Sequence, residues 1–282
     1  MGLGLLAGCG RGPFFEFPQA VEQRCGAVDF LFVIDNSESM QPHQDNLRRS
    51  FGPFIDGIYS TLDDVDDFHV GVVTTDAYRD NAVECRELGA LVTSVDAPGP
   101  NRTECGPFAE GERYMTQKDD LAQAFNCAAN VGTDGSRDEE PMNAMRRAIA
   151  GQSWSWYPQC NHGFVRDDAL LVTVIITDEG DGEESQVRDE PQPDDWFRTV
   201  VETKGTQQNA VVVSLVNGVT PECPIQNDAF DGTKIAAFTE MFDQGYVGGI
   251  CEPDYGEIFA RAVGGIDEAC STFVVDLPTR SD

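Results

Sequence analysis

Positive charge is scarce in this chain. Lys and Arg together number 19 against 49 Asp and Glu, for a formal net charge of −30, and the only lysines are Lys118, Lys204 and Lys234. Such a field repels phosphate backbones, which excludes nucleic acid as a partner, and it attracts divalent cations. A lysine-poor acidic surface also suits a saline habitat or a GC-rich genome, so charge alone assigns no function. Histidine is rarer still: His43, His69 and His162 are the three present, no two of them at ligand spacing, which argues against a zinc enzyme. There is no C-x-x-C pair, no internal repeat, no low-complexity tract and no apolar run long enough to cross a bilayer. Charged residues at 24% exclude a membrane bundle and wholesale disorder. What is there is a chain of 282 residues, 40% hydrophobic, long enough to build a core without help from metal or disulfide.

Cysteine, in contrast, is plentiful at nine residues. The first nine residues, MGLGLLAGC, make a short apolar stretch that resembles a bacterial lipoprotein signal. Leu6-Ala7-Gly8-Cys9 fits the lipobox, and the resemblance implies lipid on Cys9. The stretch has no basic residue before it, which fits a start codon further upstream. Eight cysteines then remain, and an even number in an exported protein implies up to four disulfides. Pairing sequence neighbours gives Cys85–Cys105, Cys127–Cys160 and Cys223–Cys251 and leaves Cys25–Cys270 to join the two ends. This is one connectivity among the many that eight cysteines allow.

Residues 10–26 mix Gly, Pro and Phe without a period and read as a tether. AVDFLFVID (27–35) is a branched, apolar run that predicts a strand buried on both faces. Leu47, Phe51, Phe54, Ile55 and Ile58 then share one helical face, with an irregularity expected at Gly52-Pro53. Further strands are expected at 68–75, 89–95, 169–177, 209–218 and 271–277. Helices are expected around Leu121–Ala128, Met142–Ile149 and Trp196–Val201, and near 233–242 and 254–269. Residues 96–107, rich in Pro and Gly, read as a disulfide-pinned insertion. Strands alternating with helices predict an α/β fold: a doubly wound, mostly parallel central sheet with helices on both faces.

In such sheets ligands bind beyond the carboxyl ends of the strands, where the strand order reverses. The first strand ends in Asp35-Asn36-Ser37-Glu38-Ser39, a D-x-S-x-S run, and the strand at 169–177 ends in Asp178. Between them, the VGTDGSRDEE loop (131–140) offers Thr133. Two carboxylates and three hydroxyls form an all-oxygen set suited to a small hard cation, Mg2+ above all, with Mn2+ or Ca2+ as alternatives. Neutral hydroxyl ligands leave most of the ion's charge free to bind an outside carboxylate. The structural alternative is capping: Ser39 could cap the first helix and Asp178 could order a turn.

DFLFVIDNSESM (29–40) resembles the first strand and metal motif of a von Willebrand factor type A (VWA) domain. VTVIITDEGD (172–181) is similar to that family's fourth strand with its metal aspartate, and GTDGSRDEEPMNAMRRAI (132–149) resembles its threonine loop in secreted bacterial members. The resemblance spans 27–277, leaving 278–282 as a tail. It implies a Rossmann-like fold and a metal-ion-dependent adhesion site. Ser37 and Ser39 would ligate directly, Asp35 and Asp178 would act mostly through water, and Thr133 would be the switchable ligand. The loop after Thr133 is long and acidic, with Asp134, Asp138, Glu139 and Glu140, so Ser136 stands as a second candidate for that role.

The partner so implied is a protein presenting Asp or Glu in a basic surround, because an acidic rim opposes an acidic ligand. The rim is marked at 178–195, which holds nine acidic residues and one arginine; it is an extra calcium site, a selector for a basic partner, or a solvated loop. Enzyme readings fare worse. A haloacid-dehalogenase-like phosphatase needs an aspartate where Ser37 stands, and no G-x-S-x-G elbow occurs. Trp154, Trp156 and Tyr157 could bind carbohydrate or cover the sheet. The sequence thus predicts a non-enzymatic adhesion domain on a bacterial envelope, lipid-anchored or secreted, touching membrane only through the anchor. The alternatives are a scaffolding lipoprotein with a purely stabilising metal and, further off, a metal-dependent phosphoesterase.

Overall fold

A computed structural model describes residues 21–22, 25–61, 65, 67–96, 102–136, 139–150, 158–181, 191–224 and 232–275. Cys9, most of the proposed tether, Trp154, Trp156, Tyr157, Asp138, residues 182–190 of the acidic run and the tail lie outside them. The strands are β1 (Val21–Glu22), β2 (Ala27–Ile34), β3 (Asp67–Thr74), β4 (Ser94–Val95), β5 (Thr103–Glu104), β6 (Met115–Thr116), β7 (Leu170–Ile176), β8 (Ala210–Val216), β9 (Gly245–Gly249) and β10 (Val274–Val275). The helices are α1 (Gln41–Thr61), α2 (Leu121–Ala128), α3 (Pro141–Ile149), α4 (Pro193–Lys204), α5 (Thr233–Thr239) and α6 (Gly256–Ser271).

The central sheet has the order β6-β3-β2-β7-β8-β9. All neighbours pair in parallel except the edge strand β6, so the expected α/β class holds. Period-two alternation sorts β2 onto two cores. Val28, Phe30, Phe32 and Ile34 join Phe51 and Phe54 of α1, Phe125 of α2 and Phe259 of α6 on one face. Leu31 and Val33 join Met142 and Met145 of α3, Trp196 of α4 and Phe238 of α5 on the other. Aromatic stacking fixes the first layer: Phe51 lies on Phe125 with ring centroids 3.6 Å apart, and Phe32 meets both rings edge-on. Helix α1 runs unbroken through the expected irregularity, because the Pro53 ring sits on its exposed side while Phe51, Phe54 and Ile55 are anchored in the core.

Three expectations are corrected. Residues 89–95 do not add a strand to the main sheet; only Ser94–Val95 pair, antiparallel with β5 in a separate two-stranded sheet. Val92 N–H still reaches Val72 C=O of β3 at 2.8 Å, but side chains have taken the ladder positions on either side of it. Asn81 binds Leu91 C=O (2.9 Å) and Thr93 N–H (3.2 Å), and Asn161 accepts Leu91 N–H at 3.0 Å. The tether's last part belongs to the fold, since β1 pairs with β10 in its own small sheet and Cys25 is buried. Helix α6 runs to Ser271, so the terminal strand starts later than expected, with β10 at Val274.

The disulfides are Cys25–Cys270, Cys223–Cys251, Cys85–Cys160 and Cys105–Cys127. The first two match the neighbour pairing, whereas Cys85–Cys105 and Cys127–Cys160 do not form. The insertion folds back on α2, so Cys105 meets Cys127 at a Cα separation of 5.6 Å. Cys85 instead shares a small buried cluster with Ala90 and Cys160. Among the described residues no helix is long and apolar enough to cross a membrane.

The amino ends of the strands are tied by charge. Asp29 is fully buried in β2 and receives Arg166 from two sides, its backbone N–H at 2.6 Å and its guanidinium at 2.7 Å. The same guanidinium reaches Asp67 at 2.7 Å, so one arginine bridges the starts of β2 and β3. The site candidates lie at the opposite end of the sheet.

Candidate metal centre

From β2 the chain crosses to β3 on one side of the sheet, and later β7 enters on the other, so the order reverses between β2 and β7. Ile34 and Ile176 are in register, and Asp35 N–H donates to Ile176 C=O at 3.0 Å. The two strand ends are therefore side by side at the switch point.

Asp35 is fully buried and both its carboxylate oxygens are engaged. Oδ1 accepts the Ser37 backbone N–H at 2.7 Å, which curls the turn, and Oδ2 accepts the Thr177 hydroxyl at 2.7 Å, which joins the two strand ends. Curling brings Ser37 Oγ and Ser39 Oγ to 3.3 Å. Ser37 is buried, Ser39 is exposed, and Ser37 makes no side-chain cap to the short turn that follows it. Burial pushes the Asp35 carboxyl up to about 7, against the Thr177 and Ser37 hydrogen bonds, and the nearby Asp178 charge adds to the rise. Asp178 is held through its C=O by the Asn217 amide, but its Oδ1 is buried without a hydrogen-bond partner.

The Thr133 loop is laced to this turn. Gln44 donates both to Asp35 C=O (2.9 Å) and to Gly132 C=O (2.8 Å), and Gly135 N–H donates to Asn36 C=O at 2.9 Å. Thr133 and Ser136 line a cleft beside the turn together with Asn36.

Glu139 is the residue that sequence reading passed over, although it stands in the quoted loop. It is 1% exposed; Oε2 accepts the Thr75 hydroxyl and Oε1 is buried without a partner. Burial, and next the charge of Asp35, push its carboxyl up to about 9. In sequence Thr177 marks only the end of a strand, yet its hydroxyl clasps Asp35 to the end of β7. The flanks of the acidic run act as caps: Asp181 accepts the Met142 N–H of α3 at 2.9 Å, and Asp195 completes a capping box with Gln192 on α4.

The candidate ligands all offer oxygen, and the His43 imidazole lies within electrostatic reach of Asp178. Adjacent ligands of an octahedral Mg2+ stand about 3 Å apart and those of the larger Ca2+ about 3.4 Å. The 3.3 Å separation of the serine hydroxyls is near both. Two buried carboxyl oxygens without partners are the kind of feature that a cation satisfies, since a buried polar atom left unbonded is costly. Among the described residues no group of three or more His, Cys, Asp or Glu is arranged to hold a metal. Any ion here would depend on the serine hydroxyls as much as on carboxylates.

No protein-family profile matches the chain, and no curated protein matches it. Among solved structures it is similar to proximal thread matrix protein 1 from the mussel byssus, at 13% identity over 89% of this chain, with a TM-score of 0.44. A second structure of that protein gives 13% identity, 89% coverage and a TM-score of 0.43. The chain spans about half the length of those two chains, 50% and 49% respectively.

Proposed function

We propose that this chain is an exported, non-enzymatic binding domain whose turn at 35–39 holds a divalent cation and, through it, a carboxylate of a partner protein. Mg2+ is the cation of choice, with Mn2+ or Ca2+ as alternatives. The observation that carries the reading is the pair of unpartnered buried oxygens, Asp178 Oδ1 and Glu139 Oε1, both on residues within electrostatic reach of Asp35. When bound, the ion supplies a positive centre with a position open to an outside carboxylate. The chain's own residues do the rest. Ser37 and Ser39 offer neutral oxygens, which leave the ion its charge. Asp35 fixes the serine turn and Thr177 fixes Asp35. Asp178 and Glu139 hold the ion or its waters, and Gln44 keeps the Thr133 loop against the turn. The D-x-S-x-S resemblance supports the same reading, and four disulfides support an extracytoplasmic location, with a lipid on Cys9 as the proposed anchor.

The test is thermal unfolding in EDTA and then in saturating Mg2+, for wild type and for Ser37→Ala/Ser39→Ala. An ion at 100 times its Kd adds about 2.7 kcal/mol, which for a domain of this size is a rise of roughly 5–10 °C. A rise that disappears in the double variant, with folding intact, is the expected result. No rise in the wild type would refute the cation site, and turnover of generic phosphoesters would refute the non-enzymatic part.

A further inference from the structure

A cleft with a volume of about 820 Å3 lies at the amino end of the sheet, away from the serine turn. Its size is that of a small-molecule site. The end of α4, residues 165–168 before β7, Asn209 before β8 and Val274 of β10 form its wall. Asn209 ties these pieces together: its amide donates to Lys204 C=O at 3.1 Å and to Val274 C=O at 2.7 Å, and its side-chain oxygen accepts Val274 N–H at 3.0 Å. In that wall stands Lys204, the last residue of α4, at 4% exposure. An ammonium has three N–H donors, and this one donates to Arg166 C=O. Among the described residues no other acceptor and no ion pair engages it. Asp29 is within its electrostatic reach but is held by Arg166, while Asp167 and Asp168 are exposed at the rim and attract it from a distance. Burial is the larger effect and pulls the ammonium below the usual lysine range. A buried cation without a counter-ion in contact is costly, so this is a donor in want of an anion.

We infer that this cleft binds a small monocarboxylate, its carboxylate on the Lys204 ammonium and a short apolar body against Val165 and Val274. The other side-chain donors of the wall are already used. Thr203 donates to Thr199 C=O at 2.8 Å, Thr206 to the Gln208 side chain, and Arg166 to Asp29 and Asp67. Lys204 is left to fix the ligand. A carboxylate accepts only, and its two oxygens can take the two N–H groups that the protein leaves open. The rim aspartates set the charge limit: a second negative charge on the ligand would face Asp167 and Asp168 in a chain of net charge −30, which disfavours a dianion such as phosphate. The inference is independent of the cation reading, since the cleft shares no residue with the serine turn.

The full chain, in metal-free buffer at constant ionic strength, is titrated with butyrate, with its neutral analogue butyramide and with inorganic phosphate, and followed by amide NMR shifts. Saturable butyrate shifts centred on Gly205, Thr206 and Asn209 are expected. Lys204→Met keeps an apolar stem and removes the ammonium, so it should weaken butyrate binding at least about tenfold, as loss of hydrogen bonds to a charged group does. Its thermal unfolding is measured alongside, and a variant that does not fold leaves the decision to the wild-type shift map. No saturable butyrate shifts, or shifts centred away from the cleft, overturn the proposal, as does binding that a folded Lys204→Met keeps. Butyramide binding as tight as butyrate overturns the assignment to a carboxylate, and phosphate binding as tight overturns the limit to one negative charge.

Discussion

Replacing Thr177 by Val tests the clasp between the two strand ends. Valine has nearly the same shape, so the substitution leaves no cavity at a fully buried position and removes only the hydroxyl. That hydroxyl donates to Asp35 Oδ2 at 2.7 Å and accepts the Glu179 backbone N–H at 3.1 Å. The first is a charge-assisted bond to a carboxylate with no exposure, and such bonds contribute about 1.5–3 kcal/mol. The second is a neutral bond of about 1 kcal/mol at a half-buried residue that water can partly replace. Together the loss is about 3 kcal/mol, or roughly 6–12 °C in melting temperature for a domain of this size. The assay is scanning calorimetry in EDTA, repeated over a Mg2+ titration. In the proposed function Thr177 positions Asp35, as second-layer partners of metal ligands do, so the variant should also need about 10–100 times more Mg2+ for its half-maximal rise. A variant that melts with the wild type in EDTA and responds at the same Mg2+ concentration would refute both the clasp and its link to the cation.

Gly135→Ala should act on the other side of the turn: a Cβ there would lie 2.5 Å from the Asn36 side-chain nitrogen and 2.6 Å from its carbonyl oxygen. The loop must lift, at a cost of about 1–3 kcal/mol, and the Mg2+ response should weaken. Gly26→Ala, whose Cβ meets nothing within 4 Å, should leave it unchanged. At the far end of the sheet, burial pushes the Asp29 carboxyl up to about 6 from 3.8, against the opposing charge of Arg166. The folded protein thus keeps a proton that the unfolded chain has released. This contribution to stability is full below about pH 4 and is lost as pH rises through about 6, by about 3 kcal/mol in all. Urea midpoints of wild type and Asp29→Asn between pH 4 and 8 should show that extra fall in the wild type only; parallel curves would refute it.

The strands that carry the site were legible because they are buried on both faces. AVDFLFVI and LLVTVII are runs with no polar face to keep, and only the centre of a parallel sheet accommodates them. The edges were not legible. Residues 89–95 have a strand's composition, yet side chains distant in sequence, Asn81 and Asn161, take up Leu91 and Thr93 backbone groups that would have paired. Strand β9 has the opposite character. It is glycine-rich and carries no apolar period, and it pairs because small residues let α6 approach: a Cβ on Gly248 would sit 2.6 Å from Ile258. Disulfide partners failed for a related reason, since adjacency in sequence says nothing about the insertion folding back onto α2.

The same distinction runs through the site. Asp35, Ser37 and Ser39 lie within one turn, and Asp178 follows a strand whose place beside β2 can be read from burial alone. Glu139 belongs to a loop with six other polar or charged residues around it, and nothing local separates it from Thr133, Ser136 or Glu140. What separates it is exposure: 1% for a carboxyl that burial and its acidic neighbours push up to about 9. A fold that places a glutamate there meets the cost of desolvation and of repulsion by keeping the carboxyl protonated up to about pH 9. One hydroxyl bond from Thr75 does not offset both. A cation beside it would, by adding an attraction that favours the ionised carboxyl over the protonated one. In the proposed function that is the place of the long acidic loop, which in sequence departs from the adhesion motif.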